Sequence, residues 1–174
     1  MIYHKEIKNS YLIERKLIGS LGLLLPFILV ILENDFLSSI SHYYYTKSAV
    51  FFIAILFAFG ILMISYKGYE FDPETEKVSD NFITHIAGIA ILTVVFIPTN
   101  CEGSNSLDIC KSCDLGQFPL YGHMDKWKSI LHLVSAGIFL FAMGWMSLFR
   151  FTKGPITEKR VKNNLVYKTC GIVV

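Results

Sequence analysis

The sequence predicts an all-α protein, a polytopic transmembrane helical bundle with four complete spans plus the start of a possible fifth. Hydrophobic residues make up 53% of the 174-residue chain and charged residues only 17%, against about 25% charged residues in soluble domains. Four apolar runs approach the length that a helix needs to cross the hydrocarbon core. The segments between the runs carry charged and polar residues, as loops in water do.

The four runs cover residues 17–32, 48–66, 82–97 and 130–149. Pro26 lies within the first run, where it should kink or loosen the helix. Ala54 and Ala58 are four residues apart in the second run and would let another helix approach closely. Asp80 or Asn81 can cap the third helix, because their side chains accept hydrogen bonds from its free N–H groups.

The distribution of lysine and arginine predicts the orientation. Both residues are frequent before the first run and after the fourth, and sparse in the first loop, so both ends are expected in the cytoplasm. We therefore expect a multi-pass protein of the bacterial inner (cytoplasmic) membrane, with its N-terminus cytoplasmic. No cleaved signal peptide is expected, because the first residues are polar and no small-residue cleavage site follows the first run.

This topology divides the chain into three parts. Residues 1–16 form a cytoplasmic arm, and residues 17–150 form the four-helix transmembrane domain with an outer, cysteine-containing loop at 99–127. Residues 151–174 form a basic cytoplasmic tail. The tail turns apolar from residue 166 and leads into a possible truncated fifth span, which suggests that the natural chain is longer.

Three of the four cysteines share the predicted outer loop. An outer, oxidising compartment favours disulfides, so we expect Cys101 to pair with Cys110 or Cys113. A zinc site built from the three thiolates and His123 is an alternative, because these are zinc-ligand types. A redox Cys-x-x-Cys at 110–113 is a further alternative, although no thioredoxin-like βαβ pattern surrounds it.

The stretch from Ser38 to Thr46 is the densest cluster of potentially reactive side chains beside an apolar run. It reads Ser-Ser-Ile-Ser-His-Tyr-Tyr-Tyr-Thr, and its three tyrosines are typical of a membrane–water boundary. The predicted topology brings His42, His123 and His132 to this boundary. We therefore name Ser38, His42 and His132 as candidate catalytic residues. His42, His123 and His132 are candidate metal ligands, with zinc as a possible cofactor. Alternatively, these imidazoles bond only to backbone or lipid headgroups.

His85 is separated from this group, because it lies one turn into the third run at the opposite, inner end. This separation argues against a haem held by His85 and His132. We expect His85 to contact Asp80 or a lipid phosphate instead.

Ser38-x-x-x-His42 resembles the Ser-x-x-x-His element of the membrane hydrolase superfamily that includes alkaline ceramidases and progestin/adiponectin-receptor-like proteins. That resemblance implies a zinc amidase site of serine, aspartate and three histidines. This chain has no His-x-x-x-His pair and no aspartate in its second run.

A second resemblance covers about residues 17–150. The residues Phe96-Ile97-Pro98-Thr99, the polar loop after them and His132-Leu133-x-x-Ala136 are similar to those of small multi-span bacterial membrane proteins of the Frag1/DRAM-like families. That resemblance implies about six helices and no particular chemistry.

The leading functional expectation is a small membrane module, or complex subunit, that binds lipid or a partner protein through its outer polar surface. A metal-dependent membrane hydrolase is one alternative. A transporter or channel subunit is another, which the scarcity of charge within the runs disfavours. The expected partners are membrane lipids and possibly further copies or other subunits. The net charge of only +2 argues against nucleic acid.

Overall fold

The computed structural model of the chain describes residues 2–66, 73, 78–152 and 158–173, with the side chains of 2–16, 18, 158–160 and 162 left out. All regular structure in these residues is helical, which confirms the all-α prediction. The elements, in order, are α1 (Ile2–Glu33), a 3₁₀ helix (Ile40–Tyr45), α2 (Ala49–Ser65), α3 (Asp80–Phe96), α4 (Leu107–Asp114), α5 (Lys126–Trp145), a π-helical turn (Met146–Arg150) and α6 (Glu158–Val173). Most of the predicted loop at residues 67–79 lies outside the described residues.

Helices occupy all four predicted apolar runs, but they differ in length. The continuous helix Lys126–Arg150 has 25 residues and is, within the described ranges, the one helix long and apolar enough to cross a membrane. The apolar helices Gly19–Glu33, Ala49–Ser65 and Asp80–Phe96 are shorter. Length and composition therefore support one crossing, and only weakly, because a buried core helix of a soluble protein can pass the same test.

The first helix is continuous from Ile2 to Glu33 and runs past Pro26. The predicted arm at 1–16 and the first apolar run are therefore parts of one helix. Leu25 and Leu29 on this helix are buried against Tyr44 and Phe52, so its last turns pack onto the 3₁₀ helix and α2.

The helices pack side by side in the order α1, α2, α3, α5, with the most extensive contact between α2 and α3. Two glycines make this contact close. A Cβ atom on Gly88 would come within 2.8 Å of the Gly60 carbonyl oxygen and 2.6 Å of Ile64 Cγ1. The close approach predicted at Ala54 is wrong, because that side chain is exposed; glycine permits a closer approach than alanine does.

A buried ion pair joins the end of the bundle where α3 begins and α5 ends. Arg150, on the π-helical turn, contacts the carboxylate of Asp80. The predicted capping by Asp80 or Asn81 is wrong, since Ser79 is the N-cap residue and its hydroxyl accepts the N–H of Phe82. The predicted His85–Asp80 contact is also wrong: Nδ1 of His85 lies 2.6 Å from the Asn81 carbonyl oxygen.

The last helix packs against the end of α5. The Gly171 carbonyl oxygen lies 3.2 Å from the position of a Cβ atom on Gly144, and the Ser147 hydroxyl donates to the Tyr167 carbonyl at 2.6 Å. The residues predicted to open a fifth span thus form the last part of a helix that already begins at Glu158.

Candidate functional site: the polar cap

Three connecting segments meet at the other end of the bundle and form what we call the polar cap, residues 34–48, 97–106 and 121–132. The cap forms because α1 and α3 end at this level while α2 and α5 begin there. Polar side chains of all three segments bond to one another across long stretches of sequence. Contacts between residues distant along the chain therefore hold the three segments of the cap together.

A disulfide joins the second cap segment to α4. Cys101 and Cys113 are bonded, with their Cα atoms 6.1 Å apart, whereas Cys110 and Cys170 are free. Of the two predicted pairings, the structure has Cys101 with Cys113. The alternative zinc site of three thiolates is wrong for this arrangement, because the disulfide occupies two of them.

Ser38 fastens the first cap segment to the second. Its backbone N–H donates to Asn105 Oδ1 at 2.7 Å, and its hydroxyl donates to the Gly103 carbonyl at 2.9 Å. The same hydroxyl oxygen lies 3.0 Å from His42 Nδ1. Since the hydroxyl proton points to Gly103, His42 is the donor in this contact. The Ser38–His42 pair is thus arranged to hold the loop rather than to activate the serine.

A second Ser–His pair has the opposite polarity. Nδ1 of His132 lies 2.7 Å from the Ile97 carbonyl oxygen, which can only accept a hydrogen bond. In the neutral ring Nε2 therefore has the lone pair. The Ser41 hydroxyl lies 2.8 Å from Nε2 and donates to it. His132 is buried and Ser41 half-buried.

Ser41 was not among the candidate site residues predicted from the sequence. Its partner is 91 residues away in the chain, and the serine nearest to a histidine at helical spacing was Ser38. The 3₁₀ helix Ile40–Tyr45 decides which serine faces α5, and we find no sequence signal that would have indicated it.

A chain of hydroxyl contacts joins the second cap segment to the third. Thr99 Oγ1 lies 3.0 Å from Ser129 Oγ, and Ser129 donates to Asn100 Oδ1 at 3.1 Å. The Tyr45 hydroxyl donates to the Thr99 carbonyl at 2.5 Å and accepts the N–H of His123 at 3.3 Å. These contacts join the end of α3 to the start of α5.

Two buried donors in the cap, the Tyr44 hydroxyl and Nε2 of His123, make no hydrogen bond of normal geometry. The Tyr121 backbone N–H lies near enough to Tyr44, and the Pro98 carbonyl near enough to His123, to act on their pKa values. Nδ1 of His123 accepts the N–H of Asp125 at 3.2 Å, so in the neutral ring the proton is on Nε2. Burial, and secondarily Lys128, lowers the pKa of His123. Burial raises the pKa of Tyr44, and the backbone N–H of Tyr121 opposes that shift. Both groups are thus neutral donors near pH 7.

The three predicted metal ligands, His42, His123 and His132, all belong to the polar cap. However, no set of three histidine, cysteine or carboxylate side chains in the described part of the chain is arranged to hold a metal ion. The hydrogen bonds explain this: both ring nitrogens of His132 and Nδ1 of His42 are engaged by protein groups. The geometry of these histidines therefore does not support the predicted zinc site.

Comparisons with protein-family models, with curated proteins and with solved structures find no match to this chain.

Proposed function

We propose that this chain is a four-span integral membrane protein whose outward-facing polar cap binds phospholipid headgroups. The observation that carries the proposal is a pair of buried donors that make no hydrogen bond of normal geometry, the Tyr44 hydroxyl and Nε2 of His123. A buried polar group that lacks a hydrogen bond costs about 1–3 kcal/mol. Two such groups in one cap therefore need an explanation, and a bound ligand that pairs them provides one.

The outer surfaces of the helices support the membrane placement. Large apolar side chains are exposed on every helix of the bundle, among them Leu23, Phe27, Ile31, Val50, Phe51, Phe82, Ile89, Leu133 and Phe141. Ile31 is 76% exposed and Phe141 is 72% exposed. Exposed apolar side chains on all four helices are what a helical bundle in contact with lipid requires. A 17-residue helix such as α2 is about 26 Å long, which is slightly short of a hydrocarbon core of about 30 Å.

The chemistry of the two donors indicates the ligand. Neutral O–H and N–H donors in a buried site need acceptor oxygens, and phosphate and ester oxygens of a lipid headgroup supply them. Lys128 is near enough to His123 for its charge to act on the ring, which adds attraction for an anionic group. Trp127, exposed at the start of α5, is a residue type that settles at headgroup depth.

Lipid retention tests the headgroup site. We expect wild-type protein purified in mild detergent to keep a phospholipid that native mass spectrometry detects, and Tyr44→Phe to lose most of it. Tyr44→Phe should also be at least as stable as wild type in lipid-free detergent, because it removes an unpaired hydroxyl.

Tyr43→Phe is the matched control. The Tyr43 hydroxyl already donates to the Asp35 carbonyl at 2.7 Å, so this variant should lose stability and keep the lipid. Equal lipid retention in wild type and Tyr44→Phe would contradict the proposal. Retention of a protein partner or a second copy in place of lipid would also contradict it.

The free cysteines test the orientation. Cys110 lies in the predicted outer loop and Cys170 in α6, at the opposite end of the bundle, and both are free thiols. In intact cells a membrane-impermeant maleimide should label Cys110 in a Cys170→Ser background. It should spare Cys170 in a Cys110→Ser background until the membrane is permeabilised. The reverse pattern would place the cap in the cytoplasm.

A further inference from the structure

We propose that Ser41 and His132 form a nucleophile–base pair that cleaves an ester-linked acyl chain of a membrane lipid. This inference rests on the membrane placement proposed above. The candidate residues named from sequence were Ser38, His42 and His132; the geometry replaces the first two with Ser41.

The hydrogen-bond polarity separates the two Ser–His pairs. His132 is oriented by the Ile97 carbonyl at 2.7 Å, and this bond directs the Nε2 lone pair at Ser41 Oγ, 2.8 Å away. A histidine held in one tautomer by an acceptor on its far nitrogen is the arrangement that activates a serine. In the other pair the Ser38 proton goes to Gly103, so His42 cannot accept it.

The position of the pair fits an ester substrate. His132 is the seventh residue of α5 and lies about 9 Å along the helix axis from its first residue. With Trp127 at the interface, this depth is where headgroups join acyl chains. Ile130 and Leu131 precede His132 on the outward side of α5 and are 49% and 46% exposed, so the outer face of the helix at this depth is apolar.

The reaction balances with water as the second substrate. Ser41 Oγ attacks the ester carbonyl carbon while its proton passes to Nε2 of His132. The carbon–oxygen bond to the alcohol breaks, and the alkoxide leaves as an alcohol by taking that proton. Water then attacks the acyl-serine and gives a proton to Nε2, the carboxylic acid leaves, and the proton returns to Ser41. The Ile97 carbonyl stabilises the ring while it is charged.

A fluorophosphonate probe tests the pair, because it bonds covalently to activated serines and needs no known substrate. We expect purified wild-type protein in detergent to gain one adduct, which peptide mass spectrometry maps to Ser41. Ser41→Ala should abolish the adduct. His132→Gln should slow its formation about 100-fold or more, since a general base contributes about 10²–10⁴-fold.

Ser20→Ala is the control and should be labelled at the wild-type rate, because Ser20 is exposed on α1 outside the cap and its hydroxyl donates to the Leu17 carbonyl at 3.0 Å. A merely structural Ser41–His132 bond would leave wild-type protein unlabelled, or would map the adduct to another serine, and either result overturns the inference. Site mapping on wild-type protein needs no variant, so the test holds even where a substitution prevents folding. Lipid retention without labelling refutes only the nucleophile, whereas labelling without lipid retention refutes only the headgroup site.

Discussion

Arg150 pairs with Asp80 at the end of the bundle remote from the polar cap, and both side chains are buried. The pair joins the π-helical turn after α5 to the first residue of α3. Asp80 also lies in the first turn of α3, where the helix dipole favours a negative charge. The contact therefore fixes how two of the central helices lie against each other.

Removing one partner of this pair should be strongly destabilising. Asp80→Asn leaves the guanidinium of Arg150 buried without its carboxylate, and such losses cost about 3–5 kcal/mol. We expect a large fall in the melting temperature in detergent for Asp80→Asn and for Arg150→Met. The double variant should recover part of the loss, because the two charges that contact each other are removed together. A double variant as unstable as the sum of the two single variants would contradict the pairing.

The glycine contact between α2 and α3 predicts a second stability effect. Gly88→Ala places a methyl group within 2.8 Å of the Gly60 carbonyl oxygen, and such overpacking costs about 1–3 kcal/mol. Gly137→Ala, in α5, is the control, because a Cβ atom there meets nothing within 4 Å. It should raise stability by about 0.5–1 kcal/mol. Thermal unfolding in the same detergent compares the two, and equal effects would contradict the close helix contact.

The cap should lose stability as the pH falls below neutral. Burial lowers the pKa of both His42 and His123 from the ordinary value of 6.5. Between the folded pKa and 6.5 the unfolded chain therefore binds more protons than the folded one, so stability decreases as pH decreases through this window.

Melting temperatures measured from pH 8 to pH 5 check this linkage. We expect wild-type protein to lose stability mainly below pH 6.5, and His42→Gln and His123→Gln each to flatten the dependence. A wild-type profile that rises on acidification would contradict the prediction.

The disulfide should stabilise the loop between α3 and α5. Cys101 and Cys113 close a loop with a sequence separation of 12, and closing a loop of this size contributes about 3 kcal/mol. Cys101→Ser should therefore lower the melting temperature, while Cys110→Ser should leave it almost unchanged. Mass measurement after alkylation should show two free thiols in wild-type protein. A lower melting temperature for Cys110→Ser but not for Cys101→Ser would contradict the Cys101–Cys113 disulfide.

Much of the cap's position follows from local sequence, but its contacts do not. The apolar runs placed the helices, and the tyrosine-rich stretch between the first two runs was correctly singled out as a connecting segment. The predictions of the capping residue of α3 and of the partners of Asp80 and His85 were wrong. Each was predicted from neighbours in the sequence, whereas Asp80 pairs with a residue 70 positions away.

By itself the sequence determined that the chain is helical, where its apolar helices lie and which cysteines could pair. These properties follow from hydrophobic runs and spacing, which depend on residues near one another in the chain. Only the tertiary structure decided that Cys113 bonds to Cys101, that Gly60 meets Gly88, and that Ser41 rather than Ser38 faces a histidine lone pair. The direction of a hydrogen bond depends on all the partners of both groups, and packing brings those partners from distant segments.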